Sequence, residues 1–399
     1  MASHGTSANS TPRHGVIGRS LWRRPWVREL VYQGLALLVL VALAAFFIGN
    51  VREYLPRVGL ALGWDFLRFP ARFDIDDNLI GASGRDPVWM AFLAGTINTI
   101  AVSLVSIVMC TVMAIAIALG RLSSNWLLSR TALVYIETVR NVPLLLQLLF
   151  WYSLSTQFPL PRNAWQPAPG IFVTNRGLFY PTLTMSAAHY WAVSAFALLL
   201  AAFVTVAVAS HRHRKRTGVS SRAHWHMLSF AVGLPIVILV IGGASFRFDA
   251  PALNGFNFVG GSTISPEFVA VAIGLAVYQS GFTAETIRSG IIGVRRGQIE
   301  AARSLGLKSS QILALVIAPQ ALRIVIPPLT SQYLSLTKSS SLGVVVGYPE
   351  LMRVTTAVIS ETGRAIECVG IMMAIYLLLS LLTSVLMNWY ARRMTYIER

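Results

Sequence analysis

Few side chains in this sequence could do chemistry, and those that could are charges set against apolar surroundings. Glu137 and Arg140 stand three residues apart, and Glu285 and Arg288 repeat the spacing. Residues at i and i+3 share a helix face, so each pair can neutralise itself locally. Lys338 lies inside an apolar run, followed by Ser339, Ser340 and Ser341. Ionisable groups in a membrane segment are costly and face a partner or a cavity. Lys338 therefore reads as a partner for Glu285 or Glu137, or as a contact for a substrate carboxylate. The two Glu–Arg pairs read as ion pairs that fix packing, or as gate or substrate contacts. Gln147 and Trp151 could line the same path, although an interhelical hydrogen bond is the simpler reading of Gln147.

The constellations that enzymes use are missing. The lysines are Lys215, Lys308 and Lys338, and none lies in a G-x-x-x-x-G-K-[ST] phosphate loop. H-E-x-x-H and G-x-S-x-G do not occur. Cys110 and Cys368 are too few for a disulfide framework and lack metal-ligand spacing. We expect no catalytic residue, no metal and no cofactor held by this chain.

The elements that must position these charges are membrane helices. The 399 residues are 55% hydrophobic and 12% charged, about half the roughly 25% charge of an ordinary soluble domain. Several apolar runs reach the roughly 20 residues that cross a bilayer. Eight spans are expected, over 30–48, 91–119, 131–157, 188–209, 227–246, 266–287, 323–346 and 368–390. The net charge of +17 resides in loops between these runs, which argues for a lipid partner and against nucleic acid. Basic loops alternate with weakly charged ones. By the positive-inside rule both termini and the 120–130, 210–226 and 288–322 loops are cytoplasmic. The 51–90, 158–187, 247–265 and 347–367 loops then face outward. The first apolar run is too long for a cleaved signal and lacks a cleavage site. "HRHRKR" at His211–Arg216 reads as a topology-setting loop, not a metal site.

One cytoplasmic stretch, 297–319, is polar and rich in small residues. "GQIEAARSLG" contains good helix formers, with Glu300 placed in the first turn, where the helix dipole favours it. Gly306 suits the position that ends such a helix. Ser309 or Ser310 can cap a second helix beyond it. The expectation is helix, glycine turn, helix. Downstream, Pro327 and Pro328 should break or kink the start of the seventh span.

These residues resemble a family. E-A-A, three residues, G, nine residues and I-x-L-P is the pattern of permease subunits of bacterial ABC importers. Glu300, Ala301, Ala302, Gly306 and Pro319 match it, whereas Val316 and Ala318 replace its isoleucine and leucine. "YIETVRNVPLLLQLLFWY" (Tyr135–Tyr152), "AETIRSGIIGVRRGQIEAARSLGL" and "IPPLTSQYLSLTKSSSLG" (Ile326–Gly343) resemble the polar amino-acid branch. The likeness is greatest to the larger membrane subunit of general L-amino acid systems.

The resemblance implies an all-α, type I ABC importer permease fold with a five-span core. Domains would be a basic tail (1–29), an N-terminal span with its outer loop (30–90), the first part of the core (91–157), a two-span insertion (158–264) and the second part of the core (265–392). It implies that 297–319 docks on a separate ATP-binding subunit, which binds the ATP. It further implies a second, related permease chain, a periplasmic amino-acid-binding protein, an L-amino acid substrate and a place in the bacterial inner membrane. An ion-coupled secondary amino-acid transporter is the alternative, although no internal repeat supports it.

Overall fold

A computed structural model of the chain describes residues 25–57, 63–217, 223–243 and 247–395. Most of the expected basic tail and part of the 210–226 loop lie outside the described residues. Two units are distinguished, Met1–Asp65 and Phe66–Arg399. In the first, α1 (Pro25–Arg57) is apolar, and Leu30, Leu40 and Phe47 are all exposed. A helix apolar all round and of this length is built for lipid.

The second unit is organised around α7 (Pro266–Ile292), which packs against α2 (Val88–Arg121), α3 (Trp126–Asn141), α4 (Leu144–Thr156) and α10 (Ala318–Ser339). Its buried positions are mostly small: Ala270, Ala272, Gly274, Ala276, Ser280, Gly281, Ala284 and Gly290. Small residues let membrane helices approach closely, where van der Waals contact must replace the hydrophobic effect. The closest approach is at Gly290, where an added Cβ would lie 2.1 Å from a Val325 methyl of α10.

Among the described residues five helices are long and apolar enough to cross a membrane, or six if the bent pair α3–α4 counts as one. The eight expected segments correspond to these helices, the bent pair and the two insertion helices. The expected 131–157 span is two helices meeting at 104°. The cause is Pro143: the residue before a proline is forced out of the helical region, and Val142 is extended at φ −89°, ψ 125°. The two insertion helices exist as α5 (Ala187–Thr217) and α6 (Ala223–Ile241), packed on each other. Their described apolar stretches are Ala187–Phe203 and Ser229–Ile241. Moreover, α5 stays helical through His211–Arg216, where a loop was expected, because lysine and arginine favour the helix.

The chain is also not purely helical. Eight short strands flank the α5–α6 hairpin within the insertion: β1 (Trp165–Ala168), β2 (Ile171–Thr174), β3 (Gly177–Tyr180), β4 (Thr182–Leu183), β5 (Phe248–Asp249), β6 (Ala252–Asn254), β7 (Asn257–Val259) and β8 (Ser262–Ile264). β1, β2, β3 and β8 form one antiparallel sheet in that order, with Phe172 opposite Phe179 and Tyr180 opposite Ser262. The strands thus tie the two ends of the α5–α6 hairpin together before β8 leads into α7.

Beyond α7 come α8 (Arg296–Ser304), α9 (Ser309–Ile312), a π-turn (Leu313–Ile317) and α10. The π-turn ends two residues before Pro319; such bulges absorb a missing backbone donor without ending a helix. The expected seventh span therefore starts earlier and runs over Ser309–Val346. Pro327 and Pro328 do not break it, because α10 continues through both.

A 3-10 turn leads to α11 (Leu351–Thr362), and α12 (Ala365–Thr395) closes the chain. Glu350 opens α11. Its buried carboxylate accepts from the N–H groups of Met352 (2.7 Å) and Arg353 (2.9 Å) and from the Tyr376 hydroxyl of α12 (3.0 Å). Burial pushes its pKa up from 4.5 to about 7, and the three hydrogen bonds only partly oppose that. Between those values the folded state holds a proton that the unfolded state has lost. The stability it contributes is complete below pH 4.5 and is lost as the pH rises through about 7. The thermal midpoint of the detergent-solubilised chain should therefore fall between about pH 5 and pH 8, and Glu350→Gln should flatten that slope.

Candidate functional site

The segment between α7 and α10 forms the expected helix, glycine turn and second helix. α8 ends in a closed turn: the Gly306 N–H donates to Arg303 O at 2.9 Å and the Leu307 N–H to Ala302 O at 3.3 Å. This pairing requires a left-handed residue at its centre, and Gly306 has φ +77°. No atom lies within 4 Å of the position its Cβ would take, so the requirement is conformational, not steric. Two details differ from expectation. Glu300 lies in the second turn of α8, not the first, because the helix starts at Arg296. No serine caps α9; instead the Gln311 side chain accepts from the Lys308 N–H at 2.9 Å.

α8 is almost uncovered. Ala302 packs inward at 4% exposure, while Glu300, Ala301 and Arg303 are exposed and Leu305 is 81% exposed. An exposed leucine at the tip of a polar helix is an anchor without a pocket in this chain. The Gln298 and Gln320 side chains join across 2.7 Å, linking α8 to the base of α10. Pro319 begins the same turn of α10, next to Gln320.

A second group of polar residues lies along α7 and α10. From α10, Gln332 accepts from the Thr283 hydroxyl at 2.9 Å and donates to the Thr286 hydroxyl at 2.7 Å. Tyr333 meets Thr111 of α2 at 2.8 Å, and Tyr135 of α3 meets Ser280 of α7 at 2.8 Å. A cavity of about 340 Å³ opens beside them, lined by Arg140, Phe282, Glu285, Ser289 and Gln332 among others. A neighbouring cavity of about 250 Å³ shares Phe282 and Gln332 and adds Tyr278, Gln279, Ser331 and Ser335. Gln332 and this hydroxyl chain carried no sequence motif. The signal that could have exposed them is a glutamine in a membrane span, one helical turn below Ser335 and Leu336.

The expected charge pairs divide. Glu285 and Arg288 do bond, with Arg288 Nε at 2.9 Å from Glu285 Oε2. Glu137 and Arg140 do not; the Arg140 guanidinium lies over the Phe282 ring at 5.0 Å, a cation–π contact. Glu137 is exposed and makes no ion pair among the described residues. Nor does Lys338 pair with Glu285 or Glu137. Lys338 is exposed on the face of α10 that also presents Ser331 and Ser335, following the four- and three-residue steps of a helix stripe.

Gln147 is buried, but its role is local. Its amide donates to the carbonyls of Val139 (2.9 Å) and Val142 (3.1 Å), two acceptors freed by the α3–α4 bend. It holds the bend shut and lines neither cavity. Trp151 makes an edge contact with Phe150.

The family model of binding-protein-dependent transport system inner membrane components matches residues 106–396. A general L-amino acid transport system permease protein of Rhizobium johnstonii is 38% identical over 396 residues, covering 98% of this chain and 99% of the relative. A putative amino-acid ABC transporter permease protein of Escherichia coli is 39% identical, covering 97% and 99%. A glutamate/glutamine/aspartate/asparagine transport system permease protein of Rhodobacter capsulatus is 33% identical, covering 93% and 95%.

If Gln147 is a strut, Gln147→Met should strand two carbonyls and cost about 1–3 kcal/mol. A thermal midpoint lowered by several degrees would show this. An unchanged midpoint would return Gln147 to the path.

Proposed function

This chain belongs to the inner membrane components of binding-protein-dependent transport systems, and we propose that within such a system it carries L-amino acids inward. The ion-coupled carrier is set aside by that membership. The named substrates of its relatives, which are similar over nearly their whole length, support an amino-acid cargo. The observation that carries the mechanism is α8: a short, uncovered helix with an exposed Leu305 and a fixed glycine exit.

In this reading α8 and its turn face the cytoplasm, and so do both termini. A separate ATP-binding subunit receives Leu305 and the exposed Glu300–Ala301 face, and it binds and hydrolyses the ATP. Its closure pushes α8, and the Gln298–Gln320 link passes the displacement to α10. Gly306 and Pro319 bound the moving piece. ATP shifts the conformational balance only if it binds one state better than the other.

The stripe of Ser331, Ser335 and Lys338 supports a second permease chain. A lysine and two serines do not face lipid, so this face of α10 meets the related chain and the path between the two. Lys338 then offers a cation to the substrate carboxylate. Arg140, Glu285 and Arg288 stand at the end of the path near α8, with Glu137 on the neighbouring surface. A periplasmic binding protein delivers the amino acid to the opposite end of the bundle, where the β-strands lie.

Two variants separate the roles. Leu305→Asp should reduce co-purification of the ATP-binding subunit and lower uptake at least ~10-fold, about 1.4 kcal/mol of lost association. Lys338→Gln should lower uptake while leaving co-purification intact. Full uptake by the Leu305→Asp variant would refute the docking assignment.

A further inference from the structure

At the end of the bundle opposite α8, four segments enclose a cavity of about 390 Å³. They are residues 73–77, the turn before β3, β8 with the start of α7, and the start of α11. That volume lies in the range of small-ligand sites. Charges of both signs line it: Asp74, Asp76, Asp77 and Glu267 on one hand, Arg176 and Arg353 on the other, with Asp74 accepting from the Gly84 N–H at 2.8 Å. None of the six forms an ion pair among the described residues. Oppositely charged groups that share a cavity without pairing leave both available to a third party.

The wall is built before anything arrives. The Asn98 side chain of α2 donates to the carbonyls of Asp77 (2.6 Å) and Pro349 (2.9 Å), clamping two sides of the cavity together. Asn78 closes the loop below by bonding both the N–H (2.6 Å) and the carbonyl (3.0 Å) of Ala82. Arg72 has φ +64°, a conformation that non-glycine residues hold only when the surroundings impose it. Such strain is found where geometry is fixed for a purpose.

The carboxylates are only partly answered. Ser265 donates to Asp77, and Tyr152 donates to Glu267 at 3.2 Å. Burial raises the Asp77 pKa from its ordinary value, and the Ser265 bond only partly offsets it. A carboxylate accepts at about four positions, so Asp77 and Glu267 keep capacity for an N–H donor. Asp76 makes no bond with another described residue. Arg176 spends one N–H on the Phe256 carbonyl at 3.3 Å, and Arg353 uses only its backbone N–H, to Glu350. Guanidinium forks suit a carboxylate.

We propose that this cavity binds the zwitterionic head group of a free L-α-amino acid. Its ammonium lies toward Asp76, Asp77 and Glu267, and its carboxylate toward Arg353 and Arg176. The site is separate from the Lys338 face and recognises what all amino acids share. It rests on the permease reading only in taking an amino acid as the ligand and this end as the outer face. It would hold cargo at the entrance, where the side chain is not yet read.

The test uses the full chain co-purified with its partner subunits in lipid nanodiscs, without binding protein or ATP. Radiolabelled L-alanine is the probe, since its methyl side chain leaves the head group to supply the recognition. Saturable binding is expected, displaced by glycine but not by N-acetyl-L-alanine or L-alaninamide, which each lack one charge. Arg353→Gln and Asp76→Asn should each weaken it at least ~10-fold, with the thermal midpoint unchanged as the check on folding. The proposal is overturned by an absence of saturable binding, or by equal competition from the one-charge analogues. It is also overturned if Lys338→Gln abolishes binding that Arg353→Gln leaves intact, which would place the site in the membrane path. Loss of binding-protein docking in the Arg353→Gln variant, without any alanine binding, would make the cavity a protein socket instead. Failure of the permease reading would appear separately, as a preparation without an ATP-binding subunit.

Discussion

A polar group inside a membrane span has no water to turn to, so the protein itself must satisfy it. This constraint decides most of what is distinctive here. Pro143 breaks a span at 104°, and Gln147 is required because the bend exposes two carbonyls. Gln332 ties α10 to α7 because its own amide is satisfied by two threonine hydroxyls on α7. Arg140 rests on the Phe282 ring. At Lys338 and its serine stripe the polar groups are exposed, and the proposed contact with a second chain would supply the partners that lipid does not. The same logic explains the small residues of α7: close backbone contact, as at Gly290 and Val325, replaces a hydrophobic force that lipid does not supply.

The packed interior around α7 contrasts with α8. Every turn of α7 is packed, whereas the short helix after it is covered only at Ala302. Its exit turns at Gly306, which holds φ +77°, and a side-chain bridge from Gln298 to Gln320 attaches it to α10. A push on α8 would therefore be passed on as movement of α10, whose exposed stripe lines the proposed path. The π-turn before Pro319 lies between the two and is the least regular part of the run.

Much of this was legible in the sequence because membrane composition and the helix-ending glycine are local signals. The E-A-A segment, the Gly306 turn and the Glu285–Arg288 pair needed only neighbours in the chain. What escaped was non-local. The strands are two to four residues long, and β3 pairs with β8 only because the α5–α6 hairpin brings the two together. The Gln147 strut required knowing that Pro143 bends the helix instead of merely preceding one. Arg140 stood three residues from Glu137 yet turned to a ring on another helix, a competition that spacing alone does not decide. Proline in a helix was likewise over-read at Pro327 and Pro328.

The central claim is that Leu305 sits in a partner's pocket, and site-directed cross-linking tests it most directly. Cys110 and Cys368 are buried, so a thiol-reactive photo-cross-linker attached to the Leu305→Cys variant reports on that position with little background. The account predicts a covalent adduct with the ATP-binding subunit whose yield changes when ATP is added. It predicts no such adduct from the Leu253→Cys variant on β6, at the opposite end. Adducts from Leu253→Cys but not from Leu305→Cys would contradict both the docking assignment and the orientation of the chain.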